Sequence, residues 1–305
     1  ISPCRGGREP RECAPMRSSF FVLVFSLGAS AQSFDRAALE RSVKQARAES
    51  PAVFSRVQQV VSEADALQRR ARGRLFPFPS RFRAVTRKQP GAAFALAEPI
   101  FAPERFQLPV SPEARLALRA GLVEAAGSLR EPSLAPLYRA LLSADEPYEV
   151  ARAAAEALAK LGDEADLARL AQLATTDGPR QDAAISALGA AHPGKLAVSA
   201  LSTLAALPLE VPRAKLVAGS LARVAPGWSA DVPWRADAAQ AAVTLFVKAT
   251  ADEARAAASD AVMTIDAPQT PALIAAARAE ATATQQVALD ALSDRFAHNP
   301  TRSHR

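Results

Sequence analysis

A chain of 305 residues has length for one or two ordinary domains and a large core. It is 49% hydrophobic but only 6% aromatic, and carries a formal net charge of +6. Its only cysteines, Cys4 and Cys13, stand near the start, so thiol catalysis and thiolate metal sites are excluded beyond them.

In chain order, residues 1–15 show no fold pattern and read as a translated leader upstream of Met16. Residues 16–31 then give one positive charge (Arg17), an apolar stretch from Phe20 to Leu27, and Ala29-Ser30-Ala31. That order predicts a signal peptide cut before Gln32, hence export to the periplasm or exterior. The apolar run is too short to cross a bilayer, and no transmembrane segment is expected in the mature chain. Residues 32–110 hold fourteen Lys and Arg against seven Asp and Glu, whereas residues 111–305 hold nineteen against twenty-two. The basic character is local.

Residues 32–72 read as two N-terminal helices broken at Ser50-Pro51, with Ser50 as N-cap and Pro51 at the first helical position. Residues 73–110 change character, with six prolines (77, 79, 90, 99, 103, 109) and six phenylalanines (76, 78, 82, 94, 101, 106). Each interior proline costs a helix about 3 kcal/mol, so the segment is expected to be irregular. A short strand hairpin is expected around Gln89-Pro90-Gly91, pairing 81–87 with 92–97.

Residues 111–297 are repetitive. Apolar side chains recur at helical spacing, as in Leu134, Leu137, Tyr138, Leu141 and again in Val150, Ala154, Ala157, Leu158, Leu161. Prolines at 112, 132, 147, 179, 212 and 268 mark the breaks. Aligning successive first helices gives Val123, Leu158, Leu188, Leu221, Val262 and Leu292, at intervals of 35, 30, 33, 41 and 30 residues. A period in the thirties is the mark of stacked helical hairpins. The expected fold is all-α: a right-handed α-solenoid of about five hairpins, followed by a polar tail at 298–305.

Residues 149–173 contain Arg152, Ala154, Ala155, Ala157, Leu158, Leu161, Gly162 and Asp163 in the order R-x-A-A-x-A-L-x-x-L-G-D. This unit resembles the bacterial HEAT repeat of the phycobilisome-lyase type. The other units keep the apolar positions and lose most of the signature, with Asp182 and Ala256 where Arg152 stands. The resemblance implies a fold and supplies no reaction, because such folds host unrelated functions. Some HEAT-fold proteins are chromophore lyases or DNA-repair glycosylases, and an enzyme of that kind is the remote alternative.

Nothing in the sequence carries chemistry. His192, His298 and His304 have no metal-ligand spacing, and neither a nucleophile elbow nor a phosphate-binding glycine loop occurs. No catalytic residue, metal or cofactor is assigned. Carboxylates such as Asp163, Asp252 and Glu253 sit at helix starts, where the helix dipole favours them. Two features stand out as candidate partner-binding surfaces. The first is the basic run Arg69, Arg70, Arg72, Arg74, Arg81, Arg83, Arg87 and Lys88, with no acidic residue between Ala66 and Ala97. Either the phenylalanines of 73–110 cap the open end of the solenoid while the arginines point to water, or the segment docks on an acidic protein or an anionic membrane surface. The second is the Trp228 and Trp234 loop, read as an extended segment before a helix at about 235–249. Together these lead to a non-enzymatic scaffold for a protein partner, with peripheral binding to an anionic surface as the alternative. Nucleic acid is not expected.

Overall fold

Pro51 and Pro112 open helices at the first helical position, where the missing proline N–H has no intrahelical partner to lose. In a computed structural model that describes residues 34–71, 78–229 and 232–299, every regular element is helical. The chain divides into two units, Ile1–Gln32 and Ser33–Arg305, and all the described residues belong to the second. The leader at 1–15 and the signal-peptide segment at 16–31 lie outside the described residues.

The N-terminal helices are α1 (Arg36–Glu49), α2 (Pro51–Ser62), α3 (Ala64–Arg70), α4 (Phe78–Thr86) and α5 (Ala92–Phe101). They are followed by α6 (Pro112–Ser128), α7 (Ala135–Ser143), α8 (Tyr148–Leu161), α9 (Glu164–Thr175), α10 (Gln181–Leu188) and α11 (Lys195–Ala205). The last are α12 (Val211–Val224), α13 (Arg235–Lys248), α14 (Asp252–Ile265), α15 (Thr270–Ala279) and α16 (Ala283–Ala297).

The even-numbered helices from α2 to α16 form one layer, each packed on the next. In the second layer α1 packs on α5, while α9, α11, α13 and α15 follow one another. Val123, Leu158, Leu188, Leu221, Val262 and Leu292 all lie in the first layer, on α6, α8, α10, α12, α14 and α16, and all are buried. Each such side chain contributes roughly 1.5–3 kcal/mol by leaving water. Small residues set the spacing between helices. A Cβ added at Gly127 of α6 would lie 2.5 Å from the Ala157 Cβ of α8, so these two helices meet at van der Waals contact.

The signature residues of 149–173 have structural reasons. Gly162 ends α8 in the left-handed region (φ 76), and an added Cβ would stand 2.2 Å from the His192 carbonyl oxygen. Asp163 caps α9 by accepting from the Asp166 N–H. Arg152 donates to Glu156 on its own helix at 2.7 Å. At the far end Thr282 and Gln285 form a capping box, and α16 buries Leu289, Leu292 and Phe296 on the array.

The N-terminal third differs from its expected form. Where irregular chain was expected, 78–86 and 92–101 are helical; the expected strands at 81–87 and 92–97 are therefore helix, apart from Arg87 in the turn after α4. The prolines permit this through their positions. Pro79 falls in the first turn of α4, where no intrahelical bond is lost; Pro99 falls in the last turn of α5, which ends two residues later. Residues 36–70 form three helices where two were expected, because the chain turns at Glu63 (ψ 0) before α3 is laid on α6. Ser50 makes no side-chain capping bond; its N–H closes α1 on the Ala46 carbonyl instead. Nor do α4 and α5 end the stack: α2 packs on α4 and α1 on α5, so further helices lie beyond them.

Candidate interaction surface

The basic segment is positioned by α4. Phe78 and Phe82 lie one turn apart on the same face, are fully buried, and have ring centroids 6.4 Å apart. Gly121 of α6 admits them, since a Cβ there would meet the Phe78 Cβ at 2.5 Å. Thr86, also buried, returns its hydroxyl to the Phe82 carbonyl at 2.7 Å. With one face of α4 committed to α6, its basic residues must point outward. Arg81, Arg83, Arg87 and Lys88 are all exposed, as are Arg69 and Arg70 on α3. Arg72 and Arg74 lie outside the described residues. α3 and α4 both pack on α6, and α2 packs on both, so these cations stand on or just after adjoining helices. Arg56, exposed on the adjoining helix α2, was missed in the sequence because it precedes the acid-free run; its place on the polar side of the helix, beside Ser55 and Gln59, was the available signal.

Only Arg83 in this group is tied down. Its Nε donates to the Pro79 carbonyl at 3.2 Å, and it faces Glu124 at 3.6 Å. Among the described residues, Arg56, Arg69, Arg70, Arg81, Arg87 and Lys88 make no ion pair. Nearby carboxylates are already engaged. Asp65 accepts from the Val110 N–H at 2.9 Å, and Glu63 from Gln59 at 2.9 Å. Glu98, 3% exposed, sits between Arg47 and Arg105, and Glu124 faces Arg152 at 3.8 Å as well as Arg83.

The two tryptophans divide. The Trp234 Nε1 donates to the Val224 carbonyl at 2.9 Å, and its ring meets His192 edge-on at 6.3 Å. It is a packing residue at the start of α13, closed in by Gly194, where a Cβ would lie 2.6 Å from the indole nitrogen. Trp228 is 86% exposed, in a loop tied to α14 by the Gly227 N–H bond to the Thr264 carbonyl at 2.8 Å. Residues 230 and 231 lie outside the described residues.

Among the described residues, no group of His, Asp and Glu is placed to hold a metal. His192 is exposed in its loop, and the His298 Nδ1 lies 2.8 Å from the Asp294 carbonyl oxygen. Tyr138 is fully buried without a hydrogen-bond partner, and burial pushes its hydroxyl well above the ordinary tyrosine range. It is a core residue of α7 and faces no site. Cys4, Cys13 and His304 lie outside the described residues.

The family model for HEAT repeats matches residues 111–189, the stretch that runs from the start of α6 through α10. The fold is HEAT-repeat-like. The matched stretch holds the junctions at Gly127 and Gly162, and α11 to α16 continue its two layers without a match of their own. Neither the curated proteins nor the solved structures contain a significant match. Among the described residues no helix is long and apolar enough to cross a membrane.

Proposed function

We propose that this chain is a non-enzymatic scaffold that holds a protein partner outside the cytoplasm. The observation that carries the reading is the stacked architecture itself. Each hairpin of a HEAT-like array completes its core with its neighbours, which leaves a continuous run of outward side chains suited to an extended partner. Export rests on the order of charge, apolar run and Ala29-Ser30-Ala31 in 16–31. A right-handed superhelix and kinship with the phycobilisome-lyase type of repeat belong to the same reading, on the strength of the unit at 149–173.

Two measurements test it. Sequencing the protein recovered from periplasm or medium should begin at Gln32, and recovery from cytoplasm with Cys4 or Cys13 retained would defeat export. Gel filtration of tagged full-length chain from envelope extract should give a stoichiometric complex. A chain that elutes alone from every such fraction would defeat the scaffold.

A further inference from the structure

Most cations on and just after α2, α3 and α4 have no ion-pair partner among the described residues. Arg56, Arg69, Arg70, Arg81, Arg87 and Lys88 are exposed, and none is ion-paired among the described residues. The neighbouring carboxylates cannot serve them: Asp65, Glu63, Glu98 and Glu124 all have partners of their own. On α1, Asp35 caps its helix, Glu40 faces Arg36 and Arg105, and Glu49 accepts from Gln45. Like charges gathered on adjoining helices repel one another, which is unfavourable unless an anion is brought to them. Five of the six are arginines, whose planar fork matches carboxylates two bonds at a time.

A bilayer and a protein compete as the source of that negative charge, and the phenylalanines decide between them. An interfacial helix pairs its basic face with an apolar one that enters the lipid. Here Phe78 and Phe82 are turned inward onto α6 and fully buried, and the exposed side of α4 presents Ser80, Arg81, Arg83 and Ala84, with Arg87 just beyond its end. Among the described residues, α4 presents cations outward and keeps its rings inward.

We propose that the outer face of α2, α3 and α4 docks an acidic segment of a partner polypeptide. This rests on the scaffold reading and assigns it a surface. The assay is binding of the full chain to a fluorescent Glu-rich peptide, compared with a Gln-substituted peptide. Flotation with vesicles of phosphatidylcholine, with and without phosphatidylglycerol, runs alongside. The wild-type chain should bind the Glu-rich peptide, more weakly as salt rises, and ignore the Gln one. Arg81→Glu, Arg87→Glu and Lys88→Glu together should weaken binding about tenfold or more. The triple Gln variant should fall between, which guards against a folding defect in the Glu set. Lys195→Glu with Lys248→Glu, exposed cations of the array, should change nothing.

Equal peptide binding by the triple Glu variant overturns the proposal. So does flotation with anionic vesicles by a chain that ignores the peptide, which would give the face to lipid. The gel-filtration complex separates the two levels of inference. If the triple Glu variant keeps the partner that the wild type holds, this face falls and the scaffold stands; if the wild type holds none, the scaffold itself falls.

Discussion

The array from α6 to α16 and the slab formed by α2, α3 and α4 are built from the same helix-on-helix packing, yet they treat arginine in opposite ways. In the array arginine bridges neighbours. Arg119 reaches Glu146 at 2.5 Å, Arg139 grips Asp166 at 2.7 and 2.9 Å, and Arg213 meets Asp182 at 3.1 Å. Glu156, 6% exposed, lies among Arg152, Arg223 and Lys160 and accepts from the Ser186 hydroxyl. Among the described residues from 111 onward, Arg115 and Arg130 are the arginines without a side-chain bond or ion pair. In the slab, freedom is the rule. Cations that hold a stack together are found between helices, and cations free for another molecule are found on a face whose acids are already taken.

The largest expected effect falls where the slab resembles the array. Phe82→Ala should cost about 3–5 kcal/mol, since a fully buried ring is lost from the contact of α4 with α6. Chemical denaturation of the variant measures it. A loss under about 1 kcal/mol would mean that α4 is not packed as described. Next comes the array's arginine chemistry. Asp166 is 4% exposed, and it holds the Arg139 guanidinium above its ordinary value through their hydrogen bonds. Arg139→Leu would strand that carboxylate, at a cost of about 2–3 kcal/mol. Adding Asp166→Asn should recover part of the loss in a double-mutant cycle, and strict additivity would deny the coupling.

The repeats were legible in the sequence because their cores are periodic: the six aligned positions from Val123 to Leu292 all proved to be buried in one layer. The helices at 78–86 and 92–101 were hidden by a count of prolines that ignored their positions within the turns. Gly121 was the missed cue, since it marks where α4 closes on α6. The ion pairs between units were unreadable for a different reason: their partners lie so far apart that no local window contains both. Their separations, 27 residues for Arg119 and Glu146, 31 for Arg213 and Asp182, and 35 for Arg295 and Asp260, lie close to one repeat. Of the basic run, sequence showed the charge and the missing acids. Which side faces water was set by the burial of Phe78 and Phe82.

Gly162→Ala tests the array at a turn. The left-handed backbone disfavours any Cβ by about 1–2 kcal/mol, and the His192 carbonyl stands in the way. A fall in stability of about 2 kcal/mol or more is expected, read from thermal or urea unfolding. An unchanged midpoint would mean that this junction is looser than its geometry.

The smallest effect is the most informative about the slab. Lys88 follows α4 with φ 56, in the backbone region that Gly162 occupies after α8. A non-glycine residue there costs about 1 kcal/mol. A cation near a helix C-terminus returns about 0.3–1 kcal/mol through the dipole, screened at an exposed site. Relief of strain therefore exceeds the lost attraction, and Lys88→Gly should raise stability by about 0.5 kcal/mol, or roughly 1–2 °C in Tm. Arg130→Gly, at φ 54 after α6, should behave alike and serves as the array's control. The two should part in the Glu-rich peptide assay, where Lys88→Gly weakens binding and Arg130→Gly does not. A stabilised Lys88→Gly chain with undiminished affinity would show that the strained lysine has no part in docking, and would confine the contact to the arginines of α2, α3 and α4.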